Sequence, residues 1–505
     1  MRILCVDIDT LRPDHLGCYG YARNTSENID AIARDGVRFN DYYCSDAPCL
    51  PSRAALVSGR FGIHNGCINH GGVYAEMRPE GHDRAMQDGF GRFSLPAVMR
   101  RAGMHTATIS SFADRHGAWW FNGGFNECYN VGKRGLEPAD DVLPIALKWL
   151  DDNKERKDWF LHVHVWDPHI PYRTPEKYGR PFENEPLPDN WMTKELLEYQ
   201  RQHCVGAHSA CEVNGYSDEP DAAHPRQITH VRDLDEFKRL VDEYDTGVWY
   251  ADKRLGEIFD KLREQGIYED TAIIISSDHG ESLGELGSYC EHGEADAIVT
   301  HIPMIIKWPG CAKNAESNGF HYHLDLLPTL IDLLGGVPEF KANRVTGKAT
   351  PFNYDGESYA DLVRTGEDGG REYLVVSQCA HVCQRGVRFG NWMYIRTYHD
   401  GYHLNEADEL FNLKEDPHEQ HNVAKEFPEV CWHGAWYLEH WVAENMLKNI
   451  EHQEVDPLWG VIHDGGPFHC RGYLANYCER LEQTGRTEEA EALRRRHPQD
   501  LKESY

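Results

Sequence analysis

The chain has 505 residues, 40% of them hydrophobic and 11% aromatic, which suits a globular protein with more than one core. Its 52 lysines and arginines face 82 aspartates and glutamates, a net charge of −30 that repels nucleic acid and long polyanions but tolerates a small anion in a local positive pocket. No apolar run reaches the roughly 20 residues that span a bilayer. The first strand-like segment, ILCVDID from Ile3, leaves no room for a signal peptide, so the expected location is the cytoplasm and no membrane partner is expected. The 15 cysteines are scattered without a C-x-x-C pair, which favours buried thiols over a zinc framework.

Strand-like and helix-like stretches alternate as far as residue 335. Ile3 to Ile8 reads as a buried strand, Asn28 to Asp35 as a helix, and Val37 opens a strand. Phe93 to Ala102 reads as a helix before the strand HTATIS from His105. Ile145 to Asn153 is helical, and WFLHVHVW from Trp159 is a strand. Residues 178 to 235 are polar and aperiodic. They form an insertion, either over an active-site rim or as a solvated loop. Phe237 to Gly266 places Leu240, Tyr244, Val248, Leu255, Ile258 and Leu262 at helical spacing. TAIIIS from Thr271 and HIPMIIKW from His301 are strands. The alternation predicts an α/β sheet covered by helices on both faces. A second unit starts near Arg371 with short antiparallel strands, YLVVSQ, GVRFGN and WMYIRTY. Beyond residue 430 come an aromatic helix from Trp432, a Gly-rich loop from Asp456 and a charged helix from Tyr473.

Chemistry concentrates at a few points. Asp7 and Asp9 alternate onto one face at the end of the first strand, aimed at the mouth where α/β sites sit. Asp278 and His279 follow the strand TAIIIS. Carboxylates at two neighbouring strand ends suit a hard cation. Calcium is the expected ion, and an imidazole at His279 also admits manganese. WDPHIPY carries His169, a side chain whose pKa suits a general acid. His162 and His164 alternate along the preceding strand and read as sheet-face packing.

The segment CLPSRAALVSGR from Cys49 resembles the C-x-P-S-R-x-x-x-x-T-G-R signature of the formylglycine-dependent sulfatases in the alkaline phosphatase superfamily, with Ser58 in place of threonine. SSDHGE and DPHIPY are similar to two further motifs of that family, and DPHEQHN from Asp416 to its C-terminal sheet segment. The resemblance implies an alkaline-phosphatase-like large mixed sheet flanked by helices, plus a smaller C-terminal antiparallel sheet domain with a helical tail. The corresponding boundaries are 1–370, 371–430 and 431–505.

It also implies chemistry. Cys49 would be oxidised to formylglycine, whose hydrate attacks sulfur with one oxygen and expels sulfate by collapse of the second. Arg53 would hold the diol, and Pro51 with Arg53 would be read by the maturation partner, a formylglycine-generating or anaerobic sulfatase-maturating enzyme. Asp9 aligns with the first aspartate of the family's D-D-L-R, Thr10 replaces the second, and Asp7 either supplies the missing carboxylate or bonds within the sheet end. The implied ligands of one divalent metal are therefore Asp7, Asp9, Asp278, His279 and residue 49. His169 would contact the leaving group.

Two family lysines are missing. Arg115 or His116 stands near the first, and Glu291 followed by His292 stands at the second, which makes His292 a site candidate. The expected activity is hydrolysis of a sulfate monoester on a small molecule such as a sugar. The alternatives are a phosphonate monoester hydrolase or phosphodiesterase with the same nucleophile, a silent binding protein with an unmodified Cys49, and a two-zinc phosphatase. The aromatic tail would serve specificity or homo-oligomer contacts.

Overall fold

Eight strands form the main sheet of the computed structural model, which describes residues 1–78, 90–215, 217–337, 353–367, 369–448 and 455–502. They are Arg2–Ile8 (β1), Val37–Phe39 (β2), His105–Ile109 (β3), Glu127–Tyr129 (β4), Trp159–Val165 (β5), Thr271–Ser276 (β6), Met304–Lys307 (β7) and Ala315–Ser317 (β8). Their spatial order is β8-β2-β7-β6-β1-β5-β3-β4. β1 pairs in parallel with β5 and β6, whereas β7 is antiparallel to both its neighbours, so the sheet is mixed. The apolar runs of β5 and β6 fit strands covered on both faces.

Alternation splits β1 between two cores. Leu4, Val6 and Ile8 join the helices Ala139–Asp152 and Leu234–Glu264 on one face. Ile3 and Cys5 join Leu95–Arg101 and Leu326–Leu333 on the other. Asp7 and Asp9 continue this odd-numbered series, which fixes the face on which the polar site is built.

Several expected boundaries move for identifiable reasons. The long helix begins at Leu234, three residues before Phe237, because the Asp233 carboxylate caps it by accepting from Glu236 N at 2.9 Å. The helix read from Ile145 begins at Ala139; Pro144 obscures the pattern, and a distant carboxylate, Asp167, accepts from Ala139 N at 3.0 Å. Within 178–235 lies a helix, Lys194–His203, capped by Thr193 and burying Leu197 and Gln200. Arg226 pins this insertion, donating to Glu243 at 2.8 Å and to the carbonyl of Thr174 at 2.7 Å.

The second sheet is an antiparallel meander of Tyr373–Gln378 (β9), Cys383–Phe389 (β10), Trp392–His399 (β11) and Asp408–Asn412 (β12). Its fifth strand is Asp46–Ala47, parallel to β9 and immediately upstream of Cys49. The segment carrying the candidate nucleophile is therefore held by both sheets. Helix Pro428–Lys448 packs on the small sheet through Tyr437, Leu438 and Trp441. The Gly-rich segment read as loop contains a helix, Pro457–His463, capped by Asp456, which also binds Arg385 at 2.7 Å. The rest of the tail folds back as Leu474–Gln483 and Thr487–Arg496, sharing a core with Val205, Val213 and Tyr402. Among the described residues no helix is long and apolar enough to cross a membrane.

Candidate active site

Cys49 is the first residue of the helix Cys49–Ser58. Arg53, four residues on, lies one turn below it on the same face. The helix closes on Gly59 at φ +66, where a left-handed residue is needed and a Cβ would strike Tyr354. Ser58 does what a threonine hydroxyl would do there, donating to the Ala54 carbonyl at 2.6 Å. Ser52 donates to the carbonyl of Asp278 at 2.7 Å, tying this helix to the end of β6. Gly280 is required by packing, since a Cβ would sit 2.1 Å from the Ile298 carbonyl oxygen.

Arg53 is fully enclosed and organises three carboxylates. Its Nε donates to Asp7 at 2.8 Å, its Nη2 to Asp9 at 3.0 Å, and its Nη1 to Asp278. Nη2 also donates to His164 Nε2 at 2.9 Å, and the guanidinium lies 4.8 Å from the Phe112 ring centroid. Burial resists ionisation of Asp7 and Asp9, but Arg53 and the nearby imidazoles outweigh it and hold both below the usual carboxylate range. Burial and the Asp9 carboxylate push Asp278 the other way, above that range. Burial, with Asp9 and Asp278 alongside, also keeps Cys49 a neutral thiol.

Sγ of Cys49 lies 3.1 Å from His279 Nε2. The other ring nitrogen, Nδ1, faces the Gly280 carbonyl at 2.8 Å, so it holds the proton and leaves the Nε2 lone pair aimed into the site. Asp9, Cys49, Asp278 and His279 each offer a ligand atom within 4.8 Å of the others, and so do Cys49, His279 and His292. Oδ1 of Asp9 and the hydroxyl of Thr10 are buried without a partner among the described residues. Three carboxylates around one guanidinium leave an excess negative charge that a divalent cation would balance, so the donor set fits a hard metal ion. Asp7 stands outside this group, on Arg53 and 3.6 Å from His162 Nε2.

The other expected residues gather above this floor. His169 Nε2 is 4.0 Å from Asp9 Oδ1, and its Nδ1 donates to the Ile170 carbonyl. His292 lies between the rings of His279 and His169, at centroid distances of 4.5 and 5.5 Å. Arg115 lies 4.9 Å from the Trp166 ring centroid, and Trp166 is itself held by Glu137 at 3.0 Å. His116 stands beside His70 at 5.1 Å. Burial lowers the pKa of His169 and His292, and that of His116 to about 3.

Sequence reasoning missed several members. His164, read as packing, is part of the floor through Arg53 and Asp9, while His162 bonds Thr108 at 2.9 Å. His70, His381 and His469 extend the imidazoles outward from segments without a motif. The one available signal was the H-x-H alternation of β5, which aims His164 at the same face as the strand-end carboxylates.

The Sulfatase family model matches residues 2–337, and the chain belongs to the sulfatase family. Its class is that of the sulfuric ester hydrolases. The chain is 24% identical over 440 residues to the choline-sulfatase of Rhizobium meliloti, covering 79% of this chain and 77% of that one. It is 22% identical over 463 residues to the N-acetylglucosamine-6-O-sulfatase of Bacteroides thetaiotaomicron, covering 81% and 80%. Among solved structures, the phosphonate monoester hydrolase of Agrobacterium radiobacter superimposes with a TM-score of 0.69 at 21% identity, covering 88% of this chain and 95% of that one. A protein solved with its substrate D-glucosamine-2-N,6-O-disulfate gives 0.66 at 18% identity, covering 90% and 99%.

Proposed function

We propose that this enzyme hydrolyses the sulfate monoester of a small alcohol, carbohydrate in class, through a formylglycine derived from Cys49. The convergence of Cys49 with Asp9, Asp278 and His279 carries this reading. A thiol held neutral by burial and flanked by carboxylates is a poor nucleophile, whereas an aldehyde hydrate at the same position offers one oxygen for attack and a second hydroxyl to expel sulfate. A divalent ion held by Asp9, Asp278, His279 and residue 49 would supply positive charge to the sulfate oxygens and acidify the attacking hydroxyl. Calcium suits the carboxylates, and the imidazole admits manganese.

The remaining roles fall to the chain's own groups. Arg53 holds the three aspartates and orients residue 49; Asp7 serves Arg53. The positive end of the helix Cys49–Ser58 faces the nucleophile and favours an anion there. Arg115 takes the place of a missing lysine beside the sulfate. Since Nδ1 donates to the Ile170 carbonyl, His169 can protonate the leaving oxygen from Nε2 only as an imidazolium, a form that burial opposes and Asp9 supports. All 15 cysteines are free thiols, which suits a cytoplasmic protein matured by a separate formylglycine-generating or anaerobic maturating enzyme.

The second reading is a phosphonate monoester or phosphodiester hydrolase. It is favoured by the likeness to the Agrobacterium enzyme, and the shortage of cations is compatible with it, since these substrates, like a sulfate monoester, carry a single charge. Protein co-expressed with a maturation enzyme should yield a peptide with aldehyde at position 49 by mass spectrometry. It should turn over 4-nitrophenyl sulfate with higher kcat/KM than bis(4-nitrophenyl) phosphate. A preference for the diester would select the second reading, and an intact thiol would point to a binding protein.

A further inference from the structure

Four imidazoles lie outside the machinery just described and form one contiguous wall. His70 follows the helix Gly62–Asn65, His116 ends the helix Phe112–His116, His381 sits between β9 and β10, and His469 comes from the C-terminal tail. His381 and His469 stack with centroids 4.0 Å apart. His70 lies 5.0 Å from His469 and 5.1 Å from His116, and His381 joins the inner site through His292 at 5.3 Å.

The wall is locked by bonds from elsewhere. Gln378 accepts from Ala380 N at 2.7 Å and donates to the His292 carbonyl at 2.7 Å. His469 N then donates to the Ala380 carbonyl at 2.9 Å, docking the tail. The Asn214 amide donates to His469 Nδ1 at 3.1 Å, which leaves the His469 proton on Nε2. That proton is donated to His70 Nδ1 at 2.9 Å, so the His70 proton sits on Nε2. Nε2 of His70, His116 and His381 and Nδ1 of His292 are all enclosed without a partner among the described residues. Buried polar atoms ordinarily have one, so three such atoms in the wall, with a fourth on the adjoining His292, point to a hydrogen-bonding ligand, while His469, bonded at both nitrogens, positions His70.

The charge of the wall narrows the ligand. The segments 66–78, 112–122, 379–382 and 464–472 contain no lysine. Arg78 is turned to the carbonyls of Ile63 and Val455 and Arg471 to that of Gly466, which leaves Arg115 beside Trp166 as the cation of these segments nearest the sulfate side. Burial, reinforced by neighbouring imidazoles, pushes the pKa of His70, His381 and His469 down.

We propose that His70, His116, His381 and His469 form the leaving-group subsite and that it takes an uncharged, polyhydroxylated alcohol, that is, a singly sulfated sugar. Unpartnered imidazole edges pair with hydroxyls, and a second sulfate or carboxylate would meet no lysine among these segments. The C-terminal tail is thus a wall of the site. This rests on the sulfatase reading for the position of the sulfate, but its test does not need turnover.

Binding of monosulfated monosaccharides, a polysulfated heparin disaccharide and choline sulfate would be measured by calorimetry on the full-length C49A protein. A monosulfated sugar should bind at least ten-fold more tightly than the other two. H70Q and H469A should each weaken that binding about ten-fold while thermal unfolding stays near that of the parent, and H469K should shift preference toward the disaccharide. Tighter binding of the polyanion or of choline sulfate by the parent, or unchanged sugar binding in both H70Q and H469A, would overturn the subsite. Failure of the matured wild-type enzyme to release sulfate from a monosulfated sugar that the C49A protein binds would instead sink the sulfatase reading and leave the binding result standing.

Discussion

The two ends of the site are built on opposite electrostatic plans. At the inner end, Asp7, Asp9 and Asp278 surround Arg53, and charges lie within hydrogen-bonding distance in a solvent-free floor. At the outer end, His70, His116, His381 and His469 face one another as neutral rings. A dense charge cluster is suited to holding an ion and a sulfate; a neutral wall with open hydrogen-bond positions is suited to sorting alcohols. The proposed roles divide catalytic power and selectivity between different residues, so that each should be open to perturbation without the other.

The largest expected effect comes from the inner end. Asp278→Asn keeps size and shape but removes one of the three charges around Arg53. Metal affinity should fall at least about 100-fold, and kcat/KM should fall with it for every substrate alike. Because burial and Asp9 already disfavour ionised Asp278, the metal-free variant should melt no lower than the metal-free parent. Metal titration followed by calorimetry and by differential scanning checks both halves. A D278N protein that binds metal as tightly as the parent would remove Asp278 from the ligand set.

The contrast between the two ends also explains what the sequence disclosed. The inner end is written in short motifs: i,i+4 spacing puts Arg53 under Cys49, period-two alternation puts Asp7 and Asp9 on one face, and Asp278-His279 follows an apolar strand. The large sheet could be read for the same reason, since the pattern of β1, β5 and β6 is local. Period two also aimed His164 at the floor, but nothing local distinguishes a buried histidine that bonds Arg53 from one that packs. The outer wall comes from four segments up to 399 residues apart, joined by contacts such as His70 to His469. No local pattern encodes that juxtaposition. The two-residue strand Asp46–Ala47, which couples the small sheet to Cys49, is likewise invisible without its partner.

A smaller effect tests the claim that charge is excluded from the wall but allowed behind it. His403 donates to Glu294, and both are buried beneath the segment that carries His292. Burial opposes a charge on His403, but Glu294, with Glu291 and Asp400, overrides it and raises its pKa to about 9. A histidine raised from its unfolded value of about 6.5 contributes stability fully below that pH and loses it as pH rises toward 9; the span corresponds to about 3 kcal/mol. The melting temperature should therefore fall between pH 6.5 and 9.5, and the fall should be shallower in His403→Gln. His418, raised to about 9 beside Asp189 and Glu285, keeps some slope in that variant. Identical pH slopes in the parent and in H403Q would place no charge on His403.

The smallest effect lies at the outer rim and separates a ring that is merely present from one whose proton is placed. Asn214 touches His469 through Nδ1 and reaches none of the reacting groups, so its influence passes through the tautomer of His469 and then of His70. Asn214→Ala removes one neutral hydrogen bond, about 0.5–1.5 kcal/mol. That corresponds to roughly a two- to ten-fold rise in KM for a sugar monosulfate. Turnover at saturation should change little, because the inner end is untouched. Asn214→Asp sharpens the test. A carboxylate at that position accepts instead of donating, so His469 takes a proton on Nδ1 and either gives up the one on Nε2 that it donates to His70 or becomes an imidazolium and brings a charge into the wall. Either outcome disturbs the wall, through the His70 tautomer or through its neutrality, and the KM penalty should exceed that of the alanine variant even though the side-chain volume is conserved. Equal KM values for N214A and N214D would mean that the wall works by shape alone and that the direction of its hydrogen bonds is immaterial.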